Sequence, residues 1–193
     1  SPLEAVNYAK ELHSVLTYLD VNSGDMEKGV LRFEANVSVR VAGSKHLNAR
    51  REIKNLNSFK SLQRSIEYEI EQQIAAYKAN ETIRQETLGW DEDNGKTIFQ
   101  RSKEHSHDYR YFPEPDLPPI NVHDEWKKEI LSNMPELPHV KRSYFSSLGL
   151  TDYDARVLAA QRSIAEYFEL AVKLGADKNP HILPKPISNW ITT

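Results

Sequence analysis

The chain has 193 residues, 39% hydrophobic and 27% charged, which suits one domain plus a second, shorter unit and a polar but foldable composition. No apolar run approaches the ~20 residues of a helical membrane span, and zero cysteines exclude disulfides, thiol nucleophiles, iron–sulfur clusters and cysteine-based zinc sites. The net charge of -3 argues against coating nucleic acid through bulk charge, yet residues 32–64 hold eight basic side chains against Glu34 and Glu52, a local excess able to bind a polyanion.

The opening Ser1-Pro2-Leu3-Glu4-Ala5 has neither an initiator Met nor an apolar signal segment, the expectation for a processed chain or an excised fragment. Leu3, Val6, Ala9, Leu12, Val15, Leu16 and Leu19 recur at spacings of three and four and predict an amphipathic helix, ended by Asn22-Ser23-Gly24. From Leu31 to Val41 strict alternation predicts a strand with Leu31, Phe33, Ala35, Val37, Val39 and Val41 on one face and Arg32, Glu34, Asn36, Ser38 and Arg40 on the other. Ala49 to Leu56 reads as a second strand, with Glu52 and Lys54 sharing a face. Asn57-Ser58 then starts a helix with Phe59, Leu62, Ile66, Ile70, Ile74 and Tyr77 in its stripe and Glu67, Glu69 and Glu71 mostly outside it.

Ile83–Trp90 and Thr97–Arg101 predict two strands joined through Asn94-Gly95, a hairpin dipeptide. Tyr109–Phe112 reads as a short further strand. Pro113, Pro115, Pro118 and Pro119 then mark a linker. Beyond about residue 120 only helical periodicity remains, with Trp126, Ile130, Leu131 and Met134 in one stripe and Val140, Tyr144, Phe145 and Leu148 in the next. Thr151–Asp154 and Ser163–Glu166 have capping-box spacing, and Gly149 and Gly175 stand where helices should stop.

The polar face of the 31–41 strand offers arginines, a carboxylate, an amide and a hydroxyl about 6.6 Å apart. Such a set can hold phosphate oxygens and a divalent ion, and equally can be an ordinary solvated sheet face. Glu52, Lys54, Asn55 and Asn57 form a second cluster at a helix start, where free backbone amides favour anions, or simply an Asn-rich turn. Of Gln85 and Glu86, on opposite faces of their strand, at most one reaches a cleft. Arg101, Lys103, Asp108 and Arg110 frame Tyr109, Tyr111 and Phe112, an arrangement suited to a nucleotide or RNA, or to filling a core. His105, His107 and Asp108 lack the spread of partners a metal site needs. No Gly-rich phosphate loop, Gly-x-Ser-x-Gly or His-Glu-x-x-His occurs. The residues thus predict an α+β domain with a polar cleft for phosphate, metal or RNA.

Arg32–Arg40 (RFEANVSVR), Glu52–Phe59 (EIKNLNSF), Gln85-Glu86-Thr87 and Asp108–Pro119 (DYRYFPEPDLPP) resemble the signature segments of the B-subunit family of aspartyl/glutamyl-tRNA amidotransferases. Pro135–Pro138, Tyr153-Asp154-Ala155 and Ser188-Asn189-Trp190 support the resemblance, which spans nearly the whole chain in the family's order. Where the family commonly carries Cys-Asp, this chain has Phe33-Glu34, a carboxylate one methylene longer. The family's N-terminal acidic segments, the rest of its helical domain and its tail have no counterpart, so the chain resembles a middle fragment, expected not to be competent by itself and to bind Mg2+-ATP only weakly.

The resemblance implies an antiparallel-sheet cradle with flanking helices over 1–120, followed by part of an all-helical domain over 121–193. It implies a cytoplasmic or organellar ligase component that works with an amidase (the A subunit) and a small third protein (the C subunit) on mischarged Glu-tRNA(Gln) or Asp-tRNA(Asn). With ATP and Mg2+ it would phosphorylate the side-chain carboxylate before amidation by glutamine-derived ammonia. Arg32, Glu34, Arg40 and Lys54 are the implied catalytic residues, with Glu34 on the metal, and Asn36, Ser38, Glu52, Asn55, Asn57 and Arg110 the implied cofactor contacts. A reading from another class is a non-catalytic tRNA-binding or scaffolding module that docks the amidase.

Overall fold

The computed structural model describes residues 1–102, 115–178 and 183–192. Its elements are α1 (Pro2–Tyr18), β1 (Phe33–Val37), β2 (Arg51–Leu56), α2 (Phe59–Lys78), β3 (Glu86–Asp91), β4 (Lys96–Ser102), α3 (Asp124–Asn133), α4 (Pro138–Ser147), α5 (Asp152–Leu158), α6 (Arg162–Lys178) and α7 (Pro184–Thr192). The architecture is α+β, and it divides into two compact units, Ser1–Glu11 with Asp25–Ile120 and Leu12–Gly24 with Asn121–Thr193. The strand expected at Tyr109–Phe112, together with His105 and His107, falls outside the described residues.

In the first unit the sheet order is β1-β2-β3-β4. The β1–β2 and β3–β4 pairs are antiparallel, but the central β2–β3 pair is parallel. The sheet is therefore mixed rather than wholly antiparallel, because the 20-residue helix α2 joins β2 to β3 and a long crossover returns the chain in the same direction, as a tight hairpin cannot. The core lies on the α2 side: Ala35, Val37, Ile53, Leu56 and Trp90 of the sheet pack with Val6 and Ala9 of α1 and Leu62 and Ile66 of α2. Alternation then puts Glu34, Asn36, Glu52 and Lys54 on the opposite face.

Local signals explain the element ends. Ser58 caps α2, its side chain accepting the Ser61 amide. Gly95 takes φ +62° in the β3–β4 turn, where Asp91 Oδ1 accepts from the Asn94 backbone N–H. Regular pairing of β1 covers only Phe33–Val37, shorter than the alternation suggests, since alternation reports two differing faces and not the presence of a neighbouring strand.

The second unit has its own core of Phe145, Leu150, Ala155, Leu158, Ala159, Ala165 and Phe168, with Phe145 and Phe168 edge to face at 4.9 Å. The end of α1 belongs here: Tyr18, 1% exposed, donates its hydroxyl to the Ala159 carbonyl at 2.8 Å, and burial pushes its phenol pKa up to about 12. Thr151 and Asp154 form a reciprocal capping box. Ser163 instead lies inside α6, and Gly175 is helical rather than a stop. The apolar stripe of α3 forms as a helix but buries no residue.

Candidate functional site

A β-bulge organises the polar end of the sheet. Phe33 pairs with Leu56 and Ala35 with Ile53, so Lys54 and Asn55 together stand opposite the single residue Glu34. Asn55 absorbs the extra residue with φ +65°, a left-handed conformation that Asn tolerates better than most side chains. The bulge re-aims Lys54, whose Nζ donates to Glu34 Oε1 at 2.8 Å. Gly89 pairs with Lys54 on β3, and a Cβ there would come within 3.1 Å of the Asn55 amide nitrogen and 2.5 Å of the Gln100 one. The missing side chain leaves room for both amides.

A cavity of about 480 Å³ opens over this bulge, lined by Arg32, Phe33, Glu34, Lys54, Asn55, Leu56 and Asn57 together with Met26–Gly29. The 26–29 loop is a contribution that periodicity does not disclose, although a glycine before a strand is a visible turn signal: Gly29 has φ +67°. Asp25 steadies it, accepting the Lys28 backbone N–H at 3.0 Å and pairing with the Lys28 ammonium at 2.9 Å. Those contacts hold the Asp25 carboxyl below the usual carboxylate range and raise the Lys28 pKa. Three cations, Lys28, Arg32 and Lys54, and two carboxylates, Glu27 and Glu34, thus line one pocket.

Other residues singled out from the sequence lie elsewhere. Glu52 opposes Asn36 across the β1–β2 pair and accepts from the Thr87 hydroxyl at 3.2 Å, outside the cavity lining. Asn36 and Ser38 line a separate cleft of about 390 Å³ beside Tyr8, Ala9, Leu62 and Ile66, and the Ser38 hydroxyl donates to the Asn48 carbonyl. Arg40 is exposed beyond the end of β1 and is not among the cavity residues. Arg110 lies outside the described residues. Glu86 turns to the α2 side, where it pairs with Arg51 at 3.3 Å.

The first turn of α2 is already supplied with an anion. Glu92 accepts from Ser61 Oγ at 2.7 Å, Trp90 Nε1 at 2.6 Å and Arg64 Nη1 at 2.8 Å, bonds that hold its pKa below the usual range. An internal carboxylate thus lies beside this helix start, bonded to side chains of α2 and β3. Glu69 is the second surprise. It is fully buried and accepts from Arg51 and Gln73, a role hidden because a helix stripe counts apolar residues only.

Among the described residues no cluster of three or more His, Asp or Glu side chains is arranged to hold a metal ion. Magnesium bound with a nucleotide needs less, commonly one or two carboxylates with phosphate and water completing its shell. Glu34 and Glu27, lining the same cavity, fit that requirement.

A mixed sheet with helices on one face and a charged, bulged pocket on the other defines an α+β domain. Residues 1–128 match the model of the family described as the GatB/GatE catalytic domain, and the chain belongs to that family. Similar curated proteins, each described as the B subunit of aspartyl/glutamyl-tRNA(Asn/Gln) amidotransferase, include those of Roseiflexus sp. (strain RS-1), 50% identical over the whole chain and 39% of the relative, and Nostoc punctiforme, 52% identical over the whole chain and 38% of the relative. The Thermodesulfovibrio yellowstonii protein is 46% identical over 99% of this chain and 39% of its own length. The chain thus spans about 39% of the length of such relatives.

Proposed function

We propose that this domain belongs to the carboxylate-activating component of a tRNA-dependent amidotransferase and phosphorylates the side-chain carboxylate of Glu-tRNA(Gln) or Asp-tRNA(Asn). The observation that carries the reading is the gathering of Arg32, Glu34, Lys54, Asn55 and Asn57 around one 480 Å³ cavity, in a chain whose relatives are named as the B subunit of aspartyl/glutamyl-tRNA(Asn/Gln) amidotransferase. A carboxylate is a poor electrophile. Attack of one of its oxygens on the γ-phosphorus of ATP, with cleavage of the bond to ADP, yields an acyl phosphate whose phosphate ammonia can displace. Protein catalysis of such a transfer is chiefly positioning and charge compensation.

Arg32 and Lys54, assisted by Lys28, counter phosphate charge. Asn55 and Asn57 supply amide donors and acceptors for the nucleotide. Glu34, with Glu27, would hold magnesium, which when bound neutralises phosphate oxygens. Because Glu34 and Lys54 pair with each other, each must exchange its partner when metal and phosphate enter. A glutamine-hydrolysing amidase that supplies the ammonia, a small third protein and the mischarged tRNA complete the assembly.

The test is ATP hydrolysis and acyl-phosphate formation by the full-length assembly with mischarged tRNA and no ammonia source. Glu34→Gln and Lys54→Met should each lower the rate by at least about a hundredfold, the scale of removing a group that stabilises transition-state charge. Unchanged acyl-phosphate formation in both would leave a tRNA-docking scaffold as the better reading.

A further inference from the structure

Regular pairing of β1 stops at Val37, yet the next residues are held in place by side-chain amides. Gln73 of α2, 0% exposed, accepts the Val39 N–H on Oε1 at 3.0 Å and donates from Nε2 to the Val37 carbonyl, also at 3.0 Å. One primary amide thereby makes the two bonds that a neighbouring strand would make. Asn48 adds a third, its Nδ2 donating to the Val39 carbonyl at 2.7 Å.

Behind Gln73 a buried chain fixes the amide itself. Its Nε2 also donates to Glu69 Oε1 at 2.9 Å, Arg51 Nη1 donates to the same oxygen at 3.2 Å, and Arg51 Nη2 pairs with Glu86 at 3.3 Å. The chain ties α2 to β2 and β3 and delivers one oriented amide to the backbone on either side of Ser38. An apolar residue at position 73 would fill the same space but leave the Val37 and Val39 backbone groups unsatisfied.

We infer that Gln73 is a positioning residue that keeps Val37–Val39 extended, so that the polar face of β1 continues through Ser38 to Arg40 without a strand partner. This rests on the proposed function and extends it by one contact: Arg40, exposed at the end of that face, is the cation it offers to an anionic part of the substrates.

The test is a double-mutant cycle in the full-length assembly, with KM for ATP and for mischarged tRNA, kcat and melting temperature measured for wild type, Gln73→Met, Arg40→Ala and the pair. Gln73→Met should raise the same KM as Arg40→Ala, by about three- to tenfold, with kcat nearly unchanged. In the Arg40→Ala background it should raise that KM no further, although it lowers the melting temperature equally in both. Should Gln73→Met not fold, Asn48→Asp removes the amide donor to Val39 and enters the same cycle.

A replacement that moves no KM, or moves it equally in both backgrounds, overturns the inference. Arg40→Ala without effect on either KM counts instead against the substrate role of Arg40. Amide exchange at Val39 gives an independent reading: it should accelerate in Gln73→Met while Ile53 stays protected, and an unchanged Val39 rate would refute the clamp.

Discussion

Asn55 is where backbone conformation and chemistry meet in one residue. Its φ of +65° costs a residue without a locally bonding side chain about 1–2 kcal/mol, a strain that glycine avoids. Asn55→Ala should therefore lower stability by about 1 kcal/mol, whereas Asn55→Gly should stay close to wild type in thermal melting. If the amide also serves the nucleotide, both replacements weaken Mg2+-ATP binding in a titration of the full-length protein. Restoration of affinity by glycine would assign Asn55 to the turn alone. The sequence singled out this residue, but the strand pattern concealed its conformation, because a bulge shows itself only when the opposing strand is known.

At the scale of elements, β2 supplies Lys54, Asn55 and Leu56 to the pocket lining, and β3 packs beside it. Gly89 is flanked by the side-chain amides of Asn55 and Gln100, and Gln100 is exposed, able to swing away. Gly89→Ala is expected to keep the fold, with melting lowered by no more than a few degrees, the scale of ~1 kcal/mol in a domain of this size. It should displace the Asn55 amide and lower nucleotide affinity severalfold. An unaltered affinity in the same titration would show that the Asn55 amide has freedom to spare. Helix α2 does a different service: its apolar stripe covers the sheet, while Glu69 and Gln73 within the same buried face carry hydrogen bonds to Arg51 and the end of β1.

Across the whole molecule, two separate cores divide the labour, and the helical unit carries a titratable lock. Asp154, 6% exposed, accepts Lys185 Nζ and Thr151 Oγ1, each at 2.6 Å. The Lys185 bond first, then the Thr151 bond, hold its pKa below the ordinary value of 3.8. A depressed folded-state pKa means that this contribution is fully present above the unfolded value and is lost as pH falls through the folded one. The urea midpoint of the helical unit should decline as pH drops below about 4, and the gap between wild type and Asp154→Asn should close over the same interval. A constant gap from neutral to acid pH would exclude the ionised carboxylate as the stabilising species.

Sequence by itself determined the α+β class, the helical periods, the Ser58 cap, the Thr151 capping box and the Asn94-Gly95 turn, because each depends on residues only a few positions apart. It also marked two polar clusters, Arg32, Glu34, Asn36, Ser38 and Arg40 on one strand and Glu52, Lys54, Asn55 and Asn57 before the next helix, since each is a local pattern. Tertiary structure decided the rest: the parallel β2–β3 pair, the bulge that opposes Lys54 and Asn55 to Glu34, the meeting of Arg32 and Glu34 with Lys54, Asn55 and Asn57 at one cavity, and the inward burial of Glu69 and Gln73. Each of these depends on a partner from a distant segment. Register and the satisfaction of buried polar groups are settled between elements, where no periodicity along a single chain records them.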